Sequence, residues 1–395
     1  MKTLLRVDFN VPLDQQLKVT DDSRIRLSLP TIEELLERGD SVIIMSHLGR
    51  PKDREYYFSM RHLVPNLANL LNRDVKFAEE CIGEETEKMA SELKPGEVMV
   101  LENLRFYKEE EEGDYEFARK LSLLADRFVN DAFGVAHRQH ASTYSITKYF
   151  TQYKELGFLM RREIQNLNNI LENPERPLTA ILGGSKVSDK VAVIENLLPK
   201  VDNLIIGGAM AYTFVKALGG KIGDSKVEDE RLELARALTK KAEKLNVNFL
   251  LPPDSVVADS FSEESNTQVV DSFSISEGWL GLDIGPQSVE KFSEVISNSS
   301  SILWNGPMGV YEMSNFKKGT TDIAKSIART TSNGAFSIVG GGDSIAALEN
   351  VGLVKYISYV SSGGGAMLKY LEGNSLPSIK AIRENVFSNA TTPNS

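Results

Sequence analysis

Short apolar runs rich in β-branched residues alternate with amphipathic helical patterns along almost the whole chain. This alternation is typical of βαβ units, in which helices pack on a mostly parallel sheet. The strand-like runs lie at residues 4–7, 41–45, 75–77, 98–101 and 128–130 in the first half, and at 179–182, 204–206, 249–251, 302–304, 336–339 and 357–360 in the second. Helical patterns in the first half include 31–38, with Thr31 as the N-cap, and 59–72. We therefore predict an α/β protein with two doubly wound, Rossmann-like parallel sheets.

The chain has 395 residues, which is more than one hydrophobic core usually supports, so about two domains are expected. A helical pattern is followed by Pro174 and Pro177, and two prolines so close together favour an exit from a helix into a new domain. The predicted parts are an N-terminal domain over 1–155, a connecting helix over 156–171 and a C-terminal domain over 172–374.

The composition of the chain excludes several classes of protein. With 45 Lys+Arg against 55 Asp+Glu, the net charge of -10 argues against a binder of duplex nucleic acid, which needs a basic face. Cys81 is the single cysteine, so an internal disulfide is impossible and a reducing cytosol is favoured. The sequence contains neither a signal-peptide pattern nor a run of about 18 apolar residues. We expect a cytoplasmic protein that binds neither nucleic acid nor a membrane. The acidic run at 109–112 predicts a solvated loop without a function.

Arginine and histidine are concentrated in the loops that follow the strand-like runs of the first half. The motifs are Arg6-Val-Asp8-Phe-Asn10, His47-Leu48-Gly49-Arg50, Glu102-Asn-Leu-Arg105 and His137-Arg138-Gln-His140. Arginine binds phosphate or carboxylate oxygens in bidentate fashion, which suits a small, highly charged metabolite. The candidates for anion recognition are Arg24, Arg50, Arg105 and Arg138, with Arg6 as a weaker fifth. Structural histidines and metal ligation remain alternatives for the imidazoles, but no cysteine or carboxylate cluster accompanies them at ligand spacing.

Glycine clusters follow the strand-like runs of the second half, with lysine and aspartate beside them. The clusters are Gly183-Gly184-Ser-Lys186, Gly207-Gly208, Gly340-Gly341-Gly342-Asp343 and Gly363-Gly364-Gly365. Glycine lets the backbone approach a ligand, and N–H groups at a helix start favour anionic oxygens, although glycine clusters also make simple tight turns. Lys186 and Lys190 are four residues apart, so at a helix start they would share one face and meet successive phosphates. A solvated surface pair is the alternative. Asp343 is a candidate ligand for Mg²⁺ on a phosphate.

Three familiar nucleotide signatures are missing from the sequence. It contains no G-x-x-x-x-G-K-[ST] phosphate loop, no G-x-G-x-x-G dinucleotide motif and no protein-kinase H-R-D motif. A nucleotide site in this chain must therefore use a different cradle. If the two sets of loops face one cleft, the protein moves a phosphoryl group between a small anion and a nucleotide.

Several motifs together resemble the phosphoglycerate kinase family, and the resemblance covers nearly the whole chain. The motifs are Arg6-Val-Asp-Phe-Asn-Val-Pro12, His47-Leu-Gly-Arg-Pro51, Leu101-Glu-Asn-Leu-Arg-Phe106, Asn130-Asp-Ala-Phe-Gly-Val-Ala-His-Arg138 and Trp304-Asn-Gly-Pro-Met-Gly-Val-Tyr-Glu312. The resemblance implies two domains that face a central cleft and are joined by a hinge helix, with segment 375–395 packing back on the N-terminal domain. It also implies a monomer that binds 3-phosphoglycerate or 1,3-bisphosphoglycerate on the N-terminal domain, and ATP or ADP with Mg²⁺ on the C-terminal domain.

The resemblance also implies roles for individual residues. For the phosphoglycerate site these are Asp8, Asn10, Arg24, His47, Leu48, Gly49, Arg50, Arg105 and Arg138. For the nucleotide site they are Gly184, Lys186, Lys190, Gly208, Gly281, Asn305, Glu312, Gly341, Gly342, Asp343 and Ser344, with Glu312 on the ribose and Asp343 on the metal. The residues expected to act on the phosphoryl group during transfer are Arg24, Lys186 and Gly364.

The reaction implied by the resemblance is reversible phosphoryl transfer between 1,3-bisphosphoglycerate and ADP, which gives 3-phosphoglycerate and ATP. In the direction that consumes ATP the nucleophile is a carboxylate, which is ionised at neutral pH, so no general base is needed. Hinge closure is expected to bring the ligands into line and to exclude water. Two alternatives remain: a catalytically silent nucleotide-binding or scaffold protein of the same fold, and a nicotinamide dehydrogenase, which the missing dinucleotide motif disfavours.

Overall fold

The computed structural model describes residues 1–384 and divides into two compact units. The first unit comprises Met1–Ile164 together with the segment that begins at Ser375, and the second unit comprises Gln165–Asn374. The division falls inside one helix, Phe158–Glu172, whereas the sequence prediction puts the two boundaries at the ends of this helix. Of the C-terminal segment predicted at 375–395, residues 385–395 lie outside the described residues.

The first unit is built on a six-stranded parallel sheet. Its strands are β1 (Lys2–Arg6), β2 (Ser41–Met45), β3 (Val75–Phe77), β4 (Val98–Val100), β5 (Arg127–Asn130) and β6 (Lys154–Leu156). Their order across the sheet is β3-β4-β2-β1-β5-β6, and all neighbours pair in parallel. Every residue of β2 is buried, as expected for a strand of a parallel sheet that is covered on both faces. The loops that follow β4, β2, β1 and β5 therefore meet at one edge.

The first helix is longer than the sequence pattern predicts. The α-helices up to the division are α1 (Ser23–Glu37), α2 (Val64–Leu71), α3 (Glu84–Ser91), α4 (Lys108–Glu112), α5 (Tyr115–Ser122) and α6 (Phe158–Glu172). Pro30 lies inside α1. Because proline usually marks a helix boundary, the sequence pattern does not reveal the part of the helix that precedes Pro30. Thr31 is therefore not an N-cap. Its hydroxyl instead donates a 2.6 Å hydrogen bond to Asp131.

Two further sequence predictions need correction in the first unit. The helix predicted at 59–72 consists of a 3₁₀ helix, Met60–Leu63, followed by α2. Pro65 lies in the first turn of α2, a position that suits proline and marks the start of the α-helix. The acidic run at 109–112 forms most of α4, and Glu110 within it is only 1% exposed, so the prediction of a solvated loop is wrong. The 3₁₀ helices of this unit are Tyr56–Phe58, Met60–Leu63, Leu104–Phe106, Phe133–Val135 and Ser145–Lys148.

The second unit contains another six-stranded parallel sheet. The strands of this unit are β7 (Leu178–Leu182), β8 (Asn203–Ile206), β9 (Lys221–Ile222), β10 (Asn248–Leu250), β11 (Asp254–Ala258), β12 (Thr267–Asp271), β13 (Ser274–Ile275), β14 (Leu280–Ile284), β15 (Ser301–Asn305), β16 (Phe336–Gly340) and β17 (Tyr359–Val360). The parallel sheet has the order β10-β8-β7-β15-β16-β17, which is the doubly wound order. The order in which successive strands are added reverses between β7 and β15, which pair in parallel, and ligands of such sheets bind at the carboxyl ends of the strands at this point.

The second unit also contains strands that the sequence analysis does not predict. β11 pairs in antiparallel fashion with β12 and β14, and β13 pairs with β9. Most residues of β12 are exposed, so this strand lacks the buried apolar alternation that would reveal it. By contrast, every predicted strand-like run overlaps a strand of one of the two parallel sheets, which confirms the predicted fold class.

Helices of the second unit connect its strands, and the last helix returns to the first unit. They are α7 (Val191–Leu197), α8 (Met210–Ala217), α9 (Leu232–Lys244), α10 (Pro286–Ser297), α11 (Lys318–Ser332), α12 (Gly342–Asn350), α13 (Gly364–Leu371) and α14 (Pro377–Arg383), with 3₁₀ helices at Asp229–Arg231, Ser314–Phe316 and Val354–Tyr356. In α14, the carbonyl of Ala381 accepts a 3.0 Å bond from Lys154 Nζ, and the Ser378 hydroxyl donates to the Ala136 carbonyl at 3.1 Å. Among residues 1–384, no helix is both long and apolar enough to cross a membrane.

Candidate functional site

The arginine and histidine motifs of the first unit follow neighbouring strands of its sheet. The residues after each strand are Asp8 and Asn10 (β1), His47 to Arg50 (β2), Arg105 (β4) and Arg138 (β5). Because these strands are adjacent, the sheet brings the four loops to one edge, and Arg24 joins them from the first turn of α1. The arginine cluster is defined by its ionisable members, Asp8, Arg24, His47, Arg50, Arg105 and Arg138.

Asp8 has one carboxylate oxygen that is bonded and one that is not. Arg24 Nη1 donates to Asp8 Oδ2 at 3.0 Å. Asp8 Oδ1 is buried and accepts no hydrogen bond from residues 1–384, and His47 Nδ1 lies 3.8 Å from it. A buried carboxylate oxygen without a donor is costly to maintain. The arrangement therefore suits a ligand that brings its own hydrogen-bond donor to Asp8.

His47 is a neutral histidine inside the arginine cluster. Burial lowers its pKa well below the ordinary value, and the positive charges of Arg6, Arg105 and Arg24 lower this pKa further. His47 therefore acts through hydrogen bonds and not through charge. Burial likewise lowers the pKa of His140 to about 3. Within the described part of the chain, no group of three or more His, Cys, Asp or Glu residues could hold a metal ion.

Arg105 shapes the loop that follows β2. Its Nη1 donates to the Gly49 carbonyl at 2.6 Å, while the Gly49 N–H donates to Asn10 Oδ1 at 2.8 Å. Gly49 has a φ of +64°, and the ring of Phe58 occupies the place of a Cβ atom, so only glycine fits. Leu48 is buried beside it. Asn10, Leu48 and Gly49 thus fix the shape of the loop that carries His47 and Arg50.

The rim of the arginine cluster has an excess of positive charge. Arg105 Nη2 and Arg138 Nη1 lie 3.6 and 3.8 Å from the same oxygen, Glu111 Oε1. Burial lowers the pKa of Arg105, and the nearby charges of Arg138 and Arg50 act in the same direction. Because one exposed carboxylate is shared between guanidinium groups, this rim favours an anion that carries more than one charge.

Arg6 supports the cluster from inside the unit. It is 1% exposed, and its guanidinium donates to Ser142 Oγ at 2.8 Å and to the Val7 carbonyl. Arg6 Nη2 lies 3.3 Å from His47 Nδ1, and Glu110 Oε1 lies 4.0 Å from Arg6 Nη2. The weaker sequence prediction that Arg6 binds the anion is therefore wrong, because burial keeps its donors within the protein. Sequence reasoning also missed Glu110 and Ser142, since no spacing rule links them to Arg6.

The glycine loops of the second unit pack against one another through their backbones. Gly208 has a φ of +67°, and a Cβ atom there would lie 2.5 Å from the Gly184 carbonyl oxygen and 2.6 Å from its nitrogen. A Cβ atom on Gly183 would lie 2.7 Å from the Gly306 carbonyl oxygen. Side chains do not fit at such distances, so glycine is required for this close approach. The loops after β7, β8 and β15 therefore form a continuous backbone surface.

A cavity of about 390 Å³ opens beside this surface, and its size lies in the usual range of small-molecule sites. The cavity, which we call the glycine pocket, is lined by five of the residues that the sequence analysis assigns to a nucleotide: Gly184, Gly208, Gly281, Glu312 and Asp343. Its wall is smooth at Gly281, where a Cβ atom would overlap the hydroxyl of Tyr212. The unpredicted strand β14 supplies this wall.

Other predicted residues surround the pocket without lining it. Lys190 is 7% exposed, and its Nζ donates to the side-chain and main-chain oxygens of Asn305. Burial lowers the pKa of Lys190 to about 8. Asn305 Nδ2 donates to the Gly340 carbonyl at 3.0 Å, and Ser344 Oγ accepts a 2.8 Å bond from the Gly306 N–H. The loops after β15 and β16 are thus tied together.

The prediction that Lys186 and Lys190 share one helix face is wrong. α7 begins only at Val191, so both lysines precede the helix. The N–H of Lys190 donates to the Val187 carbonyl at 2.8 Å, and this turn occupies the residues directly before the helix. Lys186 is exposed and Lys190 is buried. The two ammonium groups therefore lie in different environments.

Two helices begin beside the glycine pocket. α12 begins at Gly342 and α13 begins at Gly364. Gly341 has a φ of +97°, and a Cβ atom on Gly364 would lie 3.4 Å from Gly341 Cα. The two helix starts are therefore in contact. Their N–H groups form a region that attracts anionic oxygens.

The chain matches the family model of phosphoglycerate kinase over residues 1–374. It is 51% identical to the cytosolic phosphoglycerate kinase of Triticum aestivum, covering 97% of this chain and 95% of the relative. It is 50% identical to the chloroplastic phosphoglycerate kinase 1 of Arabidopsis thaliana, covering 98% of this chain and 80% of the relative. The solved structure of phosphoglycerate kinase from Coxiella burnetii is similar with a TM-score of 0.87 and 40% identity, covering 97% of this chain and 96% of that chain.

These similarities extend over nearly all of the sequence at identities at which function is usually shared. They give no support to a catalytically silent scaffold, and they confirm a phosphotransferase whose acceptor is a carboxyl group. The chain belongs to the phosphoglycerate kinase family, the kinases of glycolysis that use ATP and ADP as substrates.

Proposed function

We propose that the arginine cluster binds 3-phosphoglycerate and that the glycine pocket binds ATP or ADP with Mg²⁺. The observation that carries the first assignment is the unbonded, buried Asp8 Oδ1 beside a surplus of guanidinium groups. A ligand for such a site needs a hydrogen-bond donor between anionic groups. 3-Phosphoglycerate meets this need, because its hydroxyl lies between a carboxylate and a phosphate.

Within the arginine cluster, we assign the hydroxyl of the ligand to Asp8 and its phosphate to the exposed rim. Arg105 and Arg138 already share an anionic oxygen of Glu111, and a phosphate would replace that weak contact with bidentate bonds. Arg50 is exposed near them, and His47 adds a neutral donor. Arg24 bonds Asp8 and is assigned to the transferring phosphoryl group. Asn10, Leu48 and Gly49 hold the loop in shape.

In the glycine pocket, we assign the adenosine to the cavity. Its smooth wall at Gly281 suits the flat face of a base, and the absence of side chains at Gly184 and Gly208 leaves room for the ligand. Glu312 lines the same cavity, and its carboxylate can accept hydrogen bonds from the ribose hydroxyls. The size of the cavity, about 390 Å³, supports a ligand of this class.

The phosphates are assigned to the helix starts and lysines next to the cavity. The backbone of Gly341 and Gly342 opens α12, Ser344 fixes this turn, and Lys190 with Asn305 lies beneath it. Asp343 is exposed at the start of α12 and lines the cavity, which fits Mg²⁺, a cation that takes one or two carboxylates and completes its shell with phosphate oxygens. When bound, Mg²⁺ would neutralise charge on the phosphates.

The chemistry requires charge neutralisation and alignment more than proton transfer. The attacking carboxylate of 3-phosphoglycerate is ionised at neutral pH, so no side chain has to remove a proton. Arg24, Lys186 and the N–H groups at Gly364 are assigned to the charge that spreads over the phosphoryl oxygens during transfer. We expect a closing movement that aligns the two ligands and excludes water, since ATP would otherwise be hydrolysed.

We further propose that the protein acts as a monomer in the cytoplasm, without nucleic acid or membrane partners. The net charge of -10 and the single cysteine support this proposal, and the Triticum aestivum relative is named cytosolic. Light scattering of the purified protein tests the monomeric state, and cell fractionation tests the location in the cytoplasm.

The acceptor assignment is tested by Asp8→Asn. The loss of the unbonded carboxylate oxygen should raise the KM for 3-phosphoglycerate about 100-fold, because a hydrogen bond to a charged group is lost, while the KM for ATP stays within about twofold. The control is Asp53→Asn, which changes an exposed carboxylate in the segment that follows β2. An equal loss for both substrates in a coupled assay would contradict the assignment of the arginine cluster to 3-phosphoglycerate.

A further inference from the structure

Glu110 is a buried carboxylate that the proposed mechanism does not use. It is 1% exposed and lies in α4, directly after the 3₁₀ turn that carries Arg105. Its carboxylate accepts the Ser142 N–H at 2.9 Å and the Ser142 hydroxyl at 2.6 Å. Glu110 Oε1 also lies 3.8 Å from His140 Nδ1. Burial of a charge at this depth is expensive unless the charge has partners, so the position of Glu110 needs an explanation.

The partner of Glu110 is Arg6, and Ser142 connects the two. The Ser142 hydroxyl accepts a hydrogen bond from Arg6 Nε and donates one to Glu110. The Arg6 guanidinium is therefore linked through the Ser142 hydroxyl to the Glu110 carboxylate. The same carboxylate also lies close to Arg6 directly, with 4.0 Å between Glu110 Oε1 and Arg6 Nη2. Because a planar guanidinium fixed at Nε has little freedom to turn, this relay determines the direction of the remaining N–H groups.

The Nη2 group of Arg6 points to His47. The Arg6 Nη2 to His47 Nδ1 distance is 3.3 Å. Arginine has only donors, so Nδ1 must accept this bond, and a neutral imidazole then carries its proton on Nε2. In the other tautomer, Nδ1 would carry the proton and face Asp8 Oδ1 at 3.8 Å. That tautomer would compete for the unbonded oxygen of Asp8 and would leave Nε2 without a proton to donate.

We propose that Glu110, acting through Ser142 and Arg6, fixes the Nε2-protonated tautomer of His47, so that this imidazole presents a donor to the anionic ligand. This proposal rests on the proposed binding of 3-phosphoglycerate at the arginine cluster, and it identifies residues that orient His47 within that site. Glu110, Ser142 and Arg6 are positioning residues, because each acts through the next. Their arrangement keeps both Asp8 Oδ1 and the His47 Nε2–H available to a ligand.

The tautomer is measured directly by long-range ¹H–¹⁵N correlation spectra of the full chain labelled with ¹⁵N-histidine. The chain has only four histidines, and His47→Gln identifies the His47 signals. At pH 7 we expect the unprotonated nitrogen of His47 to be Nδ1. In Glu110→Gln the His47 signals should move toward a mixture of tautomers, and the KM for 3-phosphoglycerate should rise about tenfold while the KM for ATP is unchanged.

The control is Glu112→Gln, which removes an exposed carboxylate from the same helix and should alter neither the His47 signals nor the KM values. A wild-type His47 protonated on Nδ1, or charged at pH 7, would overturn the proposal. So would a Glu110→Gln protein with unchanged tautomer and KM. If Glu110→Gln does not fold, Ser142→Ala removes only the hydroxyl of the relay, and the same outcomes then apply to it.

Adding 3-phosphoglycerate to the wild-type protein tests the acceptor site separately. His47 signals that do not respond to saturating ligand would overturn the acceptor site, whereas the tautomer of the free protein would still be known. The spectrum of the free protein therefore tests the tautomer proposal, and the spectrum with 3-phosphoglycerate tests the acceptor site.

Discussion

The arginine cluster of the first unit and the glycine pocket of the second unit are both suited to anions, but they are built from different parts of the chain. In the first unit, side chains provide the positive charge, and buried partners such as Glu110 and Ser142 hold those side chains in place. In the second unit, close contacts between glycine loops form part of the surface, and mostly apolar side chains such as Tyr212, Phe261 and Leu280 line the rest of the pocket. A site of side chains can be adjusted residue by residue. A site of backbone is fixed by the fold and tolerates almost no added atom.

The two designs also differ in cost. The first unit buries charged groups, which is favourable only while every partner is present. The second unit uses peptide dipoles that the fold has already oriented, so they need no reorganisation when a charged ligand binds. We therefore expect substitutions in the first unit to act through charge and hydrogen bonding. In the second unit, we expect added volume to be the more damaging change.

The largest expected effect tests whether the backbone surface alone is sufficient for catalysis. Lys186→Ala should lower kcat by a factor of about 100 to 1,000, because its ammonium is assigned to charge that develops only during transfer. Nucleotide affinity should stay nearly intact, since the proposed phosphate contacts of the backbone and of Lys190 are unchanged in this variant. Lys240→Ala, which removes an exposed lysine on α9, is the control. Unchanged turnover in a coupled assay would refute the role of Lys186.

The next effect tests added volume in the glycine pocket. Gly208→Ala places a Cβ atom 2.5 Å from the Gly184 carbonyl oxygen at a φ of +67°, and should raise the nucleotide KM about tenfold or more. Gly219→Ala is the matched control, because its φ is +92° but no atom lies within 4 Å of the new Cβ. The control should lose about 1 kcal/mol of stability and keep its KM. Equal KM values for the two variants would contradict a backbone-built pocket.

The effect of pH separates the buried lysine from the backbone. Burial lowers the pKa of Lys190 to about 8, whereas a lysine in an unfolded chain titrates near 10.4. Between these values the unfolded state binds more protons, so the free energy of unfolding gains a contribution that rises with pH across this window. Nucleotide affinity should change in the opposite direction and fall by up to about tenfold at pH 9, as the positive charge is lost.

Lys190→Met removes the titrating group and is the comparison for both measurements. Denaturant unfolding and nucleotide titration at pH 7 to 10 should each show a flatter profile in this variant than in the wild type. Parallel profiles for the two proteins would mean that Lys190 does not titrate in this range.

The smallest expected effect tests the adjustability of the arginine cluster. Glu111 is exposed and shares one oxygen between Arg105 and Arg138 at 3.6 and 3.8 Å, so it competes weakly with a phosphate. Glu111→Gln should lower the KM for 3-phosphoglycerate about twofold at low salt, with the difference disappearing at high salt. A higher KM in this variant would show that Glu111 organises the arginines and does not compete with the ligand.

The parallel sheets could be predicted from the sequence because buried parallel strands read as short apolar runs, and β2 and β3 were placed with the correct bounds. The arrangement of the loops followed from topology alone. The start of α1 could not be predicted, because Pro30 lies inside the helix. β12 was missed because its exposed residues carry no burial pattern.

The parts of the candidate sites whose chemistry depends on residue type could be predicted from the sequence. The parts that depend on contacts between distant residues could not. Arginine and glycine motifs pointed to the cluster and the pocket. The burial of Lys190 and the exposure of Lys186 depend on a turn that ends before α7, and four-residue spacing does not encode that turn. Glu110 resembles its neighbours in sequence, and only the fold distinguishes it by placing Ser142 and Arg6 against its carboxylate.

The return of α14 to the first unit has a consequence for the order in which the protein forms on the ribosome. The second unit is one continuous stretch, Gln165–Asn374, and can fold as soon as it has emerged. The first unit includes the segment from Ser375, whose helix binds Lys154 and Ala136 through Ala381 and Ser378. Although most of the first unit is synthesised first, its structure is completed last. A chain released from the ribosome before α14 is made would therefore have a complete second unit and an incomplete first unit.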